Sequence, residues 1–378
     1  MRSRLLFSAC ALTTLLPVTA RAQGTLSTQG FGYPSGVFST RALGTGGAIG
    51  EIDPLSSANP AAISSTGGSS LYFQADPETR VLRFGGATES ARIARYPLIS
   101  AAIPLTESAT LGFSVSNFLD RSFETTARRV QIVGDSTVAS TTKFKSDGAM
   151  ADLRVGLAWS PRSWLRVGGG AHAFTGNNRV RNRQIFDDTL RFAPLVDTAT
   201  VGYSGSALSA GFEAIIASDW SVAGSYRRGG GVSLQRGDTT LSRANIPDRL
   251  GLSLAFLGIR GSSLAVRTGK DTWSRLAGLG SASVRITDGW DTSVGADMLG
   301  PRLGSASVQL RAGARWRTLP FGTPTSSVTE KSYSIGAGTS FARGHASLDL
   351  AGIRAVRDAG AGASETANTI SVGITVRP

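Results

Sequence analysis

Hydrophobic and polar positions alternate with a period of two along most of the chain. Over 152–159, Leu153, Val155, Leu157 and Trp159 alternate with Asp152, Arg154, Gly156 and Ala158. Over 249–256, Leu250, Leu252, Leu254 and Phe256 alternate with Arg249, Gly251, Ser253 and Ala255. Over 309–317, Leu310, Ala312, Ala314 and Trp316 alternate with Gln309, Arg311, Gly313, Arg315 and Arg317. Over 369–377, Ile370, Val372, Ile374 and Val376 alternate with Ser371, Gly373, Thr375 and Arg377. Each stretch predicts a β-strand with one apolar face and one small or polar face that carries arginines.

A soluble sandwich alternates in the same way, with its apolar face inward. Two features favour a membrane barrel. The polar face carries Gly, Ser and Ala rather than Lys and Glu. The connections also alternate in length. Short ones fall near 105–108, 160–163, 218–219, 258–261, 299–304 and 342–344, and long polar ones at 120–140, 176–198, 235–246, 270–289, 318–330 and 357–366. Short turns at one end and long loops at the other are the pattern of an outer-membrane barrel. The expected architecture is all-β, an antiparallel transmembrane β-barrel of about 14 strands, a number that closes the sheet and leaves no open edge in lipid. Strand cores are expected near 69–75, 94–103, 109–120, 141–159, 164–176, 199–217, 220–234, 247–257, 262–270, 290–298, 305–317, 331–341, 345–356 and 367–377, with room for an extra hairpin in 76–93. Trp159, Trp164, Trp220, Phe256, Trp316 and Phe341 fall near strand ends, where amphipathic rings form interfacial girdles. The runs 168–170 and 229–231 are all glycine and lead into no helix, so they read as relief of crowding or as bulges rather than phosphate loops.

Residues 41–64, RALGTGGAIGEIDPLSSANPAAIS, do not alternate. Their glycines and prolines cut any helix short. The stretch is expected to be a folded hatch or plug that the sheet closes around, with Gly44, Gly46, Gly47, Gly50, Asp53, Pro54, Asn59, Pro60 and Ala61 as its motif residues. Asp53 and Asn59 each precede a proline, which turns them away from helical geometry and suits Asx side chains that satisfy nearby backbone.

The first 22 residues read as a signal peptide: Arg2 and Arg4, an apolar run from Leu5 to Val18, then Ala20-Arg21-Ala22, with Gln23 as the new N-terminus. The rival is a lipoprotein anchored through Cys10, whose preceding apolar region is short. Three segments follow: 1–22 signal peptide, 23–66 hatch and 67–378 barrel. Cys10 is the single cysteine, so the mature chain is expected to have no disulfide, thiolate nucleophile or Cys-bound zinc. No segment has 18 consecutive apolar residues, which leaves strands as the only means of crossing a membrane. The net charge of +13 comes from singly scattered arginines, with only four lysines and no basic helix, so no nucleic-acid partner is expected.

Candidate chemistry is sparse. His172 and His345 have no paired ligand spacing and read as lumen or interface side chains. Gly134-Asp135-Ser136 lacks the strand-to-helix elbow of a hydrolase and reads as a turn. Asp147 and Asp187-Asp188 do not follow a calcium-loop pattern. No metal, cofactor or catalytic residue is expected, and the chain is not expected to be an enzyme.

Three stretches resemble the FadL-like family of outer-membrane long-chain fatty acid transporters, which includes PorV-like proteins. They are the run 42–50 with Asp53-Pro54 and Asn59-Pro60-Ala61; Pro247-Asp248-Arg249-Leu250-Gly251-Leu252 with Asp271-Thr272-Trp273-Ser274; and 310–317 with Leu319-Pro320-Phe321. Ala58 stands where relatives often carry an aromatic, and the C-terminal Val376-Arg377-Pro378 lacks the aromatic end of many barrels. The resemblance implies a plugged barrel in the bacterial outer membrane. It also implies passive uptake of hydrophobic, fatty-acid-like small molecules with lateral exit, its partners being outer-membrane lipid and that cargo. The alternatives are a PorV-like scaffold that works with secretion components and an arginine-lined porin.

Overall fold

The computed structural model describes residues 26–28, 30–133, 136–280, 285–303, 306–360 and 362–378. The signal-peptide reading, Cys10, Gln23, Gly134 and Asp135 lie outside them. Among the described residues a lumenal segment comes first, with the short helix α1 (Thr40–Gly44) and a 3-10 helix at Pro60–Thr66. Nineteen strands follow among the described residues. The first nine are β1 (Ser70–Phe84), β2 (Ala87–Arg95), β3 (Leu98–Pro104), β4 (Ala109–Asp120), β5 (Phe123–Val133), β6 (Ser136–Arg162), β7 (Leu165–Phe186), β8 (Leu195–Ile216) and β9 (Trp220–Arg236). Then come β10 (Thr239–Asn245), β11 (Arg249–Ile259), β12 (Ser262–Asp271), β13 (Arg285–Ile286), β14 (Gly289–Leu303), β15 (Ala306–Thr318), β16 (Phe321–Gly322), β17 (Thr329–Phe341), β18 (Ala346–Asp358) and β19 (Ser364–Val376).

Fourteen of these close an antiparallel barrel. The ring runs β1, β3, β4, β6, β7, β8, β9, β11, β12, β14, β15, β17, β18 and β19, and β19 returns to β1 from Leu71↔Val376 to Arg83↔Ser364. The apolar face points outward. Ile335 is 71% exposed and Ile370 61%, while Arg249, Ser253, Arg311 and Ser371 are buried inside. A sandwich would show the reverse, so this parity decides between the two readings. Trp159, Trp164, Trp220 and Phe341 are exposed at the short-turn end, and Trp290 and Trp316 lie towards the other. Aromatics thus flank both edges of the apolar band.

Several segments expected as loops are strand. Residues 123–133 and 136–140 pair as a hairpin, and β7 and β8 stay paired up to Gln184↔Leu195. At about 3.3 Å per residue, the 22 residues of β7 extend roughly 70 Å, far more than a bilayer crossing needs. Above the membrane both faces meet water, so the period-two hydrophobic signal disappears although the ladder continues. Segment 235–246, also expected as a loop, contains β10, and segment 270–289 holds a 3-10 helix at Trp273–Leu279. Region 76–93 does hold the extra hairpin, with β2 pairing the upper half of β1.

That hairpin opens a seam in the wall. β1 pairs with β3 only over Ser70–Phe73, against Ile99–Ala102, and from Asp76 upward it pairs with β2. Tyr96-Pro97 separates β2 from β3, and Pro97 has no N–H to carry the ladder through. The register of β2 runs against β1, from Asp76↔Arg95 to Phe84↔Ala87. On the far side of the seam β4 and β5 ladder with β6 once β3 has ended, and Tyr33 of the lumenal segment bridges to Asp120 at the end of β4.

Candidate functional site

The lumenal segment is bolted to the wall by side chains it carries. Ser39 Oγ accepts from Ala42 N at 3.1 Å to cap α1, and donates to Asp53 Oδ2 at 2.6 Å. Ser56 Oγ donates to the same oxygen at 2.7 Å, so Asp53 ties the helix start to the following loop. Pro54, half-buried, continues that loop. Asn59 caps the second helical turn: its Oδ1 accepts from Ala61 N at 3.0 Å. Its Nδ2 donates to Glu51 O at 2.8 Å and across to Phe212 O of β8 at 3.0 Å. Pro60 at the first helical position has no N–H to leave unsatisfied there.

Wall glycines make these contacts possible. A Cβ at Gly211 would stand 2.0 Å from Asn59 Oδ1, and one at Gly168 would stand 2.7 Å from Ala61 N. Likewise Gly295 and Gly313 leave room for the Thr45 carbonyl, each 2.2 Å from where their Cβ would be. Of the glycine run at 168–170, Gly168 makes the notch for Pro60 and Ala61, while Gly170 lies against Ser209 Oγ of the wall. Gly46 and Gly47 hold positive φ (68° and 91°) in the turn after α1, Gly44 packs on Gly336, and Gly47 and Gly50 wall in the Phe38 ring.

Two plug aromatics sit in collars of wall arginines. Phe38 has Arg267 at 4.7 Å, Arg315 at 5.0 Å and Arg249 at 5.6 Å from its ring centre. Tyr33 has Arg357 at 4.6 Å, Arg317 at 4.9 Å and Arg95 at 5.3 Å. Its hydroxyl donates to Glu330 Oε2 at 3.1 Å and accepts from Arg317. Burial pushes that hydroxyl's pKa up, against the pull of Arg317, and keeps it protonated. The Tyr33 backbone also exchanges both hydrogen bonds with Asp120, at 2.8 and 2.9 Å. Beside it, Gly36 lies against Pro97 and Asn117, at the lower end of the seam. Tyr33 and Gly36 of the lumenal segment therefore line the break in the wall.

Glu51 is fully buried. Arg267 Nε donates to it at 3.1 Å, Arg249 Nη2 at 3.3 Å and Ser225 Oγ at 2.6 Å. Burial raises its pKa, but Arg249 and Arg267 more than offset this and hold the carboxyl below its usual range. The arginines scattered through the sequence are thus gathered into a paired lumen.

A cavity of about 140 Å³ lies between the plug and the wall. Its lining runs from Phe118 and Trp273 past Arg227 and Arg249 to Ser35, Gly36 and Gln74. Among the described residues, Arg95 Nη2, Arg227 Nε and Arg249 Nε are buried without an acceptor. Above it, Phe31, Phe118, Phe174, Ile246, Trp273, Leu276 and Phe321 form an apolar cluster. The two sequence stretches at 247–252 and 271–274 meet here: Asp248 N donates to Thr272 Oγ1 at 3.0 Å, and Thr272 N donates to Asp248 O at 3.0 Å. This junction places Trp273 over the cavity, stacked on Phe118 at 5.4 Å.

His172 and Asp152, which the sequence did not connect, pair in the lumen. His172 Nδ1 is 2.8 Å from Asp152 Oδ1, and its Nε2 is 2.9 Å from Ser209 Oγ. The order resembles a hydrolase relay. Ser209, however, sits within continuous ladders to β7 and β9, whose N–H groups are committed, so no free backbone pair faces a developing oxyanion. The row is a satisfied polar network. His345 caps the chain end, with Nδ1 2.9 Å from Arg377 O. Among the described residues no cluster of three or more His, Cys, Asp or Glu is placed to hold a metal.

No family model matches the sequence, and no curated protein matches it. Solved structures do. A Pseudomonas aeruginosa FadL homologue superposes with a TM-score of 0.66 at 15% identity, covering 92% of this chain and 99% of that one. The Pseudomonas putida toluene transporter TodX superposes at 0.58 with 12% identity, covering 92% and 99%. The chain has the FadL fold. The correspondence extends over nearly the whole of both chains.

Proposed function

We propose that the chain is an outer-membrane barrel that admits small hydrophobic molecules passively, past its plug and out through the wall. One observation carries this reading: the seam above Pro97 lies beside plug residues Tyr33–Gly36, and the lumenal cavity is lined by the same segment. The likeness in fold to a toluene transporter supports it. The apolar cluster supplies a landing surface at the long-hairpin end, and Arg227 and Arg249 offer donors for a polar or carboxylate head. By volume alone a space of about 140 Å³ holds one ring or a short chain segment, and its wall is mixed, with Phe38, Phe118 and Trp273 beside Arg227, Arg249 and Glu330. A longer chain requires the turn at Gly44–Gly50 to shift, which is the hatch movement we assign to it. Residues 30–64 pack within the lumen, whereas an open porin needs them outside it.

Uptake of labelled oleate and of toluene by cells that express the chain tests this reading. Wild type raises uptake of at least one cargo. Arg227→Gln lowers carboxylate uptake several-fold and leaves toluene uptake largely unchanged. Large stable single-channel currents, or no uptake of either cargo by a chain that fractionates with outer membranes, would sink the proposal.

A further inference from the structure

The outward face of the β6–β7 hairpin changes character as it leaves the apolar band. On β6, Leu153, Val155, Leu157 and Trp159 are outward and exposed. The same parity continued upward presents Asp147, Lys145 and Lys143, and on β7 it presents Arg179, Arg181 and Arg183, all exposed. The twelve steps from Trp159 up to Asp147, which stands opposite Arg179, rise about 40 Å along the strand at about 3.3 Å each, or about 30 Å along the membrane normal for a strand tilted near 40°, against an apolar band about 25 Å tall. The cations therefore begin just above the hydrocarbon, at headgroup level.

The ladder sets like charges opposite each other. Lys143 faces Arg183 and Lys145 faces Arg181 across β6–β7. Directly opposed like charges on one face of a sheet destabilise it. Neighbouring strands do little to offset them. Thr126 stands opposite Lys143, Thr198 opposite Arg181 and Thr200 opposite Arg179. Glu124 is across from Lys145, and Asp147 lies 3.6 Å from Lys145. Five cations thus share the face with two carboxylates. Among the described residues Lys143, Arg179, Arg181 and Arg183 have no carboxylate within ion-pair distance. Nearby Arg128 is already taken by Asp187.

We infer that this face docks a phosphate-bearing glycolipid headgroup of the outer leaflet. Several phosphates held in the plane of the membrane would settle between the opposed cations and relieve their repulsion, while the acyl chains lie on Leu153, Val155 and Leu157. Guanidinium groups bind phosphate in a bidentate fashion, which suits a row of three arginines on alternate positions. The inference rests on the outer-membrane placement proposed above, which fractionation reads separately.

The test uses full-length protein purified in nonionic detergent, titrated with bisphosphorylated lipid A, with its dephosphorylated form and with phosphatidylglycerol. Wild type binds the bisphosphorylated form at least about 10-fold tighter than either other lipid, and the preference shrinks as salt rises. A variant carrying Lys143→Gln, Lys145→Gln, Arg179→Gln, Arg181→Gln and Arg183→Gln loses the preference and keeps cargo uptake. Equal binding of the two lipid A forms to wild type overturns the inference without any variant. So does phosphatidylglycerol binding as tightly as lipid A, or an unchanged preference in the variant.

Discussion

Glu51 and Asn59 hold the plug by opposite means. Glu51 is a buried charge surrounded by donors, so removing it leaves Arg249 facing the lumen uncompensated. Glu51→Gln is expected to lower stability by about 3 kcal/mol, as the loss of one partner from a buried pair does. Thermal unfolding followed by tryptophan fluorescence measures it. The same group sets a pH response. Its folded-state pKa lies below the ordinary 4.5, so its contribution is fully present above that value and fades as pH falls through the folded one. The melting temperature of wild type should therefore lose this contribution only below about pH 4.5, and the Glu51→Gln variant should lack that component. Asn59 acts through hydrogen bonds alone. Asn59→Ala should cost about 1–2 kcal/mol for the lost cap and the bridge to Phe212 O. Gly211→Val should cost more, because its side chain would occupy the space of Asn59 Oδ1; the same melting curve ranks the two.

Among the elements, the long hairpins and the seam matter most. β6, β7 and β8 continue as a paired sheet well past the apolar band, and the connection at 187–194 is exposed at its tip. Trypsin added to intact cells should cut after Arg191 and leave a protected core containing the wall. Protection of Arg191, with cleavage at Arg162 or Arg260 in the short turns instead, would mean that the barrel is inserted the other way round. The strand pattern of residues 109–120 and 152–159 was legible in the sequence because each has one lipid-facing side. The hairpin extensions were not, because a ladder with water on both sides has no apolar face to mark it. Nor was the seam, which depends on which partner β1 chooses above Phe73.

At the scale of the whole molecule, the barrel is a container whose contents are mainly ionic. Arg357 joins Glu330 and Glu365, Arg311 joins Asp297 and Asp349, and Arg315 joins Asp291. Such a filling excludes a continuous water column, so planar-bilayer recordings of wild type should be close to silent. Deleting residues 30–66 should convert silence into large currents, since it removes both aromatic pins and leaves the lumen open. Silence in both forms would mean that wall side chains alone block the lumen.

The sequence by itself determined the parity of the wall, the approximate strand number, the non-strand character of residues 41–64 and the turn-forming roles of Asp53 and Asn59. These follow from period-two patterning and from residues that precede proline, and both are local. Only the tertiary structure decided which wall groups meet the plug. Tyr33 and Glu330 are 297 residues apart, Ser27 and Glu365 are 338 apart, and Asp152, His172 and Ser209 lie on three neighbouring strands. Closing the sheet turns every polar face toward one small volume, so residues with no sequence relation become partners. Of the two acids in residues 41–64, Asp53 drew attention by preceding a proline and Glu51 did not, and the arginines that hold Glu51 could be named only once the barrel had closed.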